Sequence, residues 1–187
     1  MKKTLVAAMM LLVCSTILAA GIPDKIKALH KDGETMKTSF TETSVMPKLK
    51  KEQAKSGSLV FTAPSNLRLD YTDPAGDYTL ITAMQFETSR EGKVQKLPFK
   101  NPQSQWAVFR NTLLMSFMGD VEGVASMNEA TATYKEEGAN YVCTLKTDKP
   151  KQQGIAELVL VYNKKSGKLV SLTVTKGNGN YTTYAVK

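Results

Sequence analysis

The stretch Gly57-Ser58-Leu59-Val60-Phe61-Thr62-Ala63-Pro64-Ser65-Asn66-Leu67-Arg68-Leu69-Asp70-Tyr71 decides how this chain is built. Leu59, Phe61 and Ala63 fall on one side of a period of two, and Pro64-Ser65-Asn66 supplies turn residues. Leu67, Leu69 and Tyr71 then resume the alternation, with Arg68 and Asp70 between them. Such alternation marks strands with one face buried and the other in water. Runs joined by so short a turn pair with each other in space.

The same period continues on both sides. Upstream, Met36, Thr38 and Phe40 alternate with Lys37, Ser39 and Thr41, and Ser and Thr dominate as far as Met46. Pro47 and the lysine-rich stretch after it predict an exposed hairpin turn before a second strand over 56–63. Downstream, Asp73-Pro74-Ala75-Gly76 is a turn, and strands are expected over 78–84, 85–90 and 93–99, the last two joined at Glu91-Gly92. Further strands are expected over 130–136, 140–147, 155–162, 168–176 and 181–186, with turn residues in each connection.

Two segments break the pattern. Over 22–32, Pro23 suits the first turn of a helix, where its missing N–H costs nothing. Ile22, Ile26 and Leu29 follow at helical spacing, and Asp32-Gly33 ends the run. Over 101–118, Asn101 and Pro102 form a helix start, and Trp106, Phe109, Leu113 and Phe117 recur at intervals of three, four and four. Leu114, Met115 and Met118 widen this stripe, and Gly119 is a C-terminal stop. The expected fold is mainly β with helices: about ten short antiparallel strands in a meander. Its apolar face is covered in one of two ways. The helices fill a solid core, or the sheet curls into an incomplete antiparallel barrel whose helical lid roofs a cavity. Periodicity does not separate the two. Met115, Met118 and Met127 lean toward a cavity, because methionine repacks around variable apolar ligands.

The first twenty residues read as a secretory signal peptide: Lys2 and Lys3, an apolar run from Thr4 to Leu18, then small residues with cleavage after Ala20. The apolar run is short of the roughly 20 residues of a membrane span. Val13 precedes Cys14 where a lipidation signal places a small residue, so Cys14 is not read as a lipid anchor. One domain is expected over 21–187, exported to the periplasm, with a net charge of +6 after loss of Lys2 and Lys3 from a chain of +8. The basic charge of an exported chain reads either as ordinary solubility or as attraction to anionic lipid or acidic partners, and points away from nucleic acid.

No catalytic or metal-binding pattern stands out. His30 is the sole histidine and lies in a polar stretch. Cys143 alternates in register with Tyr141 and Leu145, the setting of a buried thiol. There is no Gly-x-Ser-x-Gly elbow. Asp70, Asp73 and Asp77 cluster near one turn and read as a solvated turn. Neither a cofactor nor an enzymatic activity is expected.

The Gly57–Tyr71 stretch resembles the signature of the LolA-type outer-membrane lipoprotein carriers: a Gly-led strand, a Pro turn, then a strand carrying an Arg and aromatic residues before a second Pro turn, here Asp73-Pro74. Ser39-Phe40-Thr41-Glu42, Ser166-Gly167-Lys168-Leu169 and Gly179-Asn180-Tyr181-Thr182-Thr183-Tyr184 are similar to other strands of that family. The resemblance implies an incomplete barrel closed by helices. It implies a monomeric carrier that takes acylated lipoproteins from an inner-membrane lipoprotein-releasing complex to an outer-membrane receptor or the outer membrane itself. The acyl-chain site is then expected at Leu59, Phe61, Leu67, Leu69, Tyr71, Leu80, Trp106, Phe109, Leu113 and Phe117. The family places an Arg before the first Pro, where it latches the lid, and here that position is Ala63. Arg68 is expected to pair with a carboxylate of a neighbouring strand. Carriage of other lipids, or sensing of them, on the same fold is the alternative.

Overall fold

A computed structural model describes residues 21–31, 33–73, 75–98 and 104–187. The expected signal peptide over 1–20 and the expected helix start at Asn101-Pro102 lie outside those residues. The elements in chain order begin with α1 (Ile22–Lys27), β1 (Thr35–Met46), a 3-10 turn (Pro47–Leu49), β2 (Lys51–Thr62) and β3 (Asn66–Tyr71). There follow β4 (Tyr78–Ile81), β5 (Gln85–Arg90), β6 (Lys93–Pro98), α2 (Gln105–Phe117) and α3 (Val121–Met127). The chain ends with β7 (Ala130–Glu137), β8 (Asn140–Thr147), β9 (Ile155–Asn163), β10 (Leu169–Lys176) and β11 (Tyr181–Val186).

The eleven strands form one antiparallel sheet in the order β6-β5-β4-β3-β2-β1-β11-β10-β9-β8-β7. Two meanders, β1 to β6 and β7 to β11, are joined at the middle by the pairing of β1 with β11, from Phe40↔Val186 to Val45↔Tyr181. The free edges are β6 and β7, and the chain passes from one to the other through α2 and α3. This is the expected incomplete barrel with helices over it: an open sheet, not a closed cylinder.

Residues directly opposite across an antiparallel pair share a face. The inner face is therefore traced by Met36↔Phe61↔Leu67↔Ile81↔Phe86↔Leu97 at one level and by Thr38↔Leu59↔Leu69↔Thr79 at the next. On the other meander it runs through Val174↔Leu158↔Leu145 and Leu172↔Leu160↔Cys143. Tyr162, Leu160, Leu158, Leu172 and Cys143 are wholly buried there.

Three elements depart from the sequence expectation. The lysine-rich run after Pro47 is not all turn: β2 starts at Lys51, and β1 and β2 pair over twelve residues each. Side-chain alternation is silent here because both faces of this part of β2 are exposed. The first helix ends at Lys27, where two i→i+3 bonds, Leu29 N–H to Ile26 O and His30 N–H to Lys27 O, tighten the chain out of it. A third helix, α3, was not expected. Seven residues with Gly123 among them are too few for periodicity to register. Asp120 caps the helix by accepting from Gly123 N–H, and Val121 and Val124 are buried.

Candidate functional site

The concave face of the sheet is the candidate site, and α2 and α3 lie across it. Ser104 caps α2, its side chain accepting from the Ala107 N–H at 3.2 Å. Gly119, at φ +67°, turns the chain into α3 as its position in the sequence predicts. From α2, Leu113, Leu114 and Phe117 are buried against the strands, and the Phe117 ring meets that of Phe61 at 5.3 Å. Tyr162 Oη, fully buried on β9, donates to Ser116 O at 2.8 Å. Asn128 Nδ2 donates to Thr112 Oγ1 at 2.8 Å, and the Arg110 guanidinium donates to Ala83 O.

Of the residues expected at the site, Leu59, Phe61, Leu67, Leu69 and Tyr71 are buried on the concave face, with Leu113 and Phe117 opposite them on α2. Phe109 is partly buried against the same core. Trp106 is 51% exposed at the start of α2, its ring 5.5 Å from that of Phe86. Leu80 is not part of this face. Its cross-strand partners are Arg68 and Glu87, so it stands on the convex side, and Thr79 and Ile81 of β4 point inward instead. Sequence reading missed Phe40, Ile81 and Phe86 of this cluster. The pairing Leu67↔Ile81↔Phe86 identifies the last two, but only once register is known.

The expected open hollow is largely filled by the helices' own side chains. A cleft of about 230 Å³ lies at one end of the sheet, between α1, the end of α2 and the β9–β10 turn. Its apolar wall includes Met36, Phe61, Ala63, Phe117, Met118 and Leu169, and its lining also carries Lys27, Lys31 and Lys168 together with Glu34 and Asp120. Lys27 pairs with Asp120 at 3.1 Å, and His30 Nε2 lies 2.9 Å from Gly167 O. These contacts tie α1 to the chain on either side of the cleft.

The other end of the concave face is polar. Tyr71 Oη donates to Glu42 Oε2 at 2.6 Å. Arg90 stacks over the Tyr71 ring at 4.6 Å and donates to Thr79 Oγ1 at 3.1 Å. Burial, then the neighbouring Glu42 charge, pushes the Tyr71 phenol up to about 12, so it stays a donor. Burial likewise raises the Cys143 thiol to about 12.

Arg68 does not reach a neighbouring strand's carboxylate. It forms a two-pronged pair with Asp70 of its own strand, at 2.7 to 3.0 Å, and covers the Tyr78 ring of β4. Asp77 is no solvated turn residue either: it is 3% exposed and accepts from the Glu91 N–H at 2.6 Å. Among the described residues there is no group of three or more His, Cys, Asp or Glu arranged to hold a metal ion. None of the described helices is long and apolar enough to cross a membrane.

A half-open antiparallel barrel with helices seated on its apolar concave face defines the class. The chain belongs to the family of the outer membrane lipoprotein carrier protein LolA, whose model matches residues 31–187. Among solved structures it is similar to a putative outer membrane lipoprotein-sorting protein domain from Vibrio parahaemolyticus, at 9% identity over 90% of each chain and a TM-score of 0.44. A LolA superfamily protein from Nitrosomonas europaea is 8% identical over 90% of this chain and 91% of that one, with a TM-score of 0.41. No curated protein sequence matches it.

Proposed function

We propose that this chain is a periplasmic carrier that shields the acyl chains of lipoproteins between an inner-membrane releasing complex and the outer membrane. One observation carries the reading: an apolar sheet face is covered by helices that touch it mainly through apolar side chains, with a cleft already reaching Phe61 and Phe117 beneath them. Burying a methylene gains ~0.8 kcal/mol, so an acyl chain of about fifteen of them is worth on the order of 12 kcal/mol to shelter. A carrier without an energy source must also let that chain go. Leu113, Leu114 and Phe117 occupy the surface an acyl chain would use. Loading is then an exchange of one apolar occupant for another, and the net cost in either direction stays small.

The cleft, at about 230 Å³, falls short of the ~300–1,000 Å³ of ordinary ligand pockets, so α2 has to lift for cargo to enter. The test is incubation of the purified chain with spheroplasts. Lipoproteins released into solution in complex with the chain are the expected result, and their retention on the cells refutes the reading. With Lys27, Lys31 and Lys168 against Glu34 and Asp120 the rim keeps a small basic excess, which favours a second reading, carriage of other anionic lipids on the same fold. Free phospholipid in place of acylated protein in the purified chain would establish it.

A further inference from the structure

We infer that the tip of the β1–β2 hairpin is a prong that touches an anionic lipid surface, with Leu49 entering the interface and Lys48, Lys50 and Lys51 lying on its phosphates. β1 and β2 pair out to Met46↔Lys51, but β3 joins β2 only from Gly57↔Tyr71 inward. On the other side β11 stops at Val45↔Tyr181. The hairpin therefore runs six residues of β2 past its pairing with β3, and its turn begins at Pro47, two residues beyond the last pair with β11. Pro47 opens it, and Lys50, at φ +48°, closes it with an N–H bond to Pro47 O at 3.1 Å. This fixes the tip and leaves Leu49 62% exposed at its apex.

Lysines on a free strand edge are ordinarily explained as guards against pairing with another chain. That accounts for Lys51. It does not account for Leu49, since a polar residue would make the same turn without exposing apolar surface. Lys48, Lys50 and Lys51 are exposed and form no ion pair among the described residues, and the nearest acid in sequence is Glu52. An apolar residue ringed by unpaired lysines matches the two layers of an anionic membrane surface, headgroup charge outside and acyl chains beneath. One leucine and three lysines give a reversible contact, weakened by salt. The tip also lies ten residues along β1 from Met36 at the cleft, roughly 33 Å at the rise of a strand, so contact leaves the cleft clear. The inference does not depend on what the cleft carries.

Co-sedimentation of the purified chain with vesicles tests it. Binding is expected to phosphatidylcholine mixed with phosphatidylglycerol and not to phosphatidylcholine alone. Combining Lys48→Glu, Lys50→Glu and Lys51→Glu is expected to lower that affinity by at least about tenfold, and Leu49→Ser to lower it several-fold. Combining Lys25→Glu, Lys165→Glu and Lys187→Glu, at the opposite end, is expected to leave it unchanged within about twofold. Equal losses in the two triple variants, no effect of Leu49→Ser, or no binding by the native chain would each overturn the inference. If the charge variant misfolds, Leu49→Trp combined with Trp106→Phe decides: its emission shifts to the blue on mixed vesicles if the tip inserts, and an unshifted emission rejects insertion.

Discussion

At Gly57 the backbone of β2 comes so close to β3 that an added Cβ would lie 1.9 Å from Asp70 O. Its strand neighbours, Phe40 and Tyr71, close over the position with their rings edge to face at 5.3 Å. Glycine is needed here because there is no room for a side chain, and a backbone atom cannot step aside as a flexible side chain can. Gly57→Ala is expected to cost about 1–3 kcal/mol by overpacking, read as a lower midpoint in urea. On the convex side Asp70, Arg68, Tyr78, Glu87 and Lys96 form a continuous chain of contacts across β3 to β6. The Tyr78 hydroxyl, and then Lys96, hold the Glu87 carboxyl below its ordinary 4.5. A carboxyl depressed in the folded chain stabilises it above the unfolded value and loses that contribution as pH falls through the folded one. The gap in Tm between the native chain and Glu87→Gln is therefore expected to be open at neutral pH and to close on acidification below about 4.5. These residue-level details divide in how readable they were. The inward series Leu59, Phe61, Leu67, Leu69 and Tyr71 followed from alternation alone. Leu80 was misassigned because its strand is only four residues long, and the register to β3 and β5 settles its face, not its hydrophobicity.

Among the elements, α1 shows how a short helix finds a seat. Six residues do not hold a helix in water, so its stability comes from docking. Ile22 and Ile26 are buried, and the turn after it fits against two glycines. A Cβ on Gly119 would come within 2.6 Å of the His30 ring, and one on Gly167 within 2.6 Å of Leu29 Cβ. Both glycines also have positive φ, at +67° and +70°. Gly119→Ala is expected to lift α1 from the cleft, with a loss of about 1–3 kcal/mol and faster proteolytic cleavage before Thr35, measured by limited digestion. The sequence showed Gly119 as a helix stop, and that holds. Its second task, making room for His30 and Ile26, could not be read because those residues lie some ninety positions away. The α2 stripe was legible for the same reason that alternation was: Leu113 and Phe117 recur with the helical period. Trp106 belongs to that period too, yet at the helix start it is half outside the core.

For the whole molecule, the sheet order places the first and last strands of the described residues at its middle. β1 and β11 hold the two meanders together, while β6 and β7 each leave one side unpaired. Amide protection follows from that arrangement, since local opening costs least at unpaired edges. Hydrogen exchange is expected to be slowest in β1, β10 and β11 and fastest in β6 and β7. Uniform exchange across the sheet would contradict the edge assignment. What the sequence by itself determined is local: where the chain alternates, where it turns, and where a helical stripe interrupts the strands, because backbone geometry and side-chain period are properties of neighbouring residues. Tertiary structure alone decided the rest. The pairing of the first strand with the last, the polar cluster of Glu42, Tyr71 and Arg90, and the filling of the concave face down to a cleft all join residues distant in the chain. They follow from register and packing volume, which no local pattern encodes.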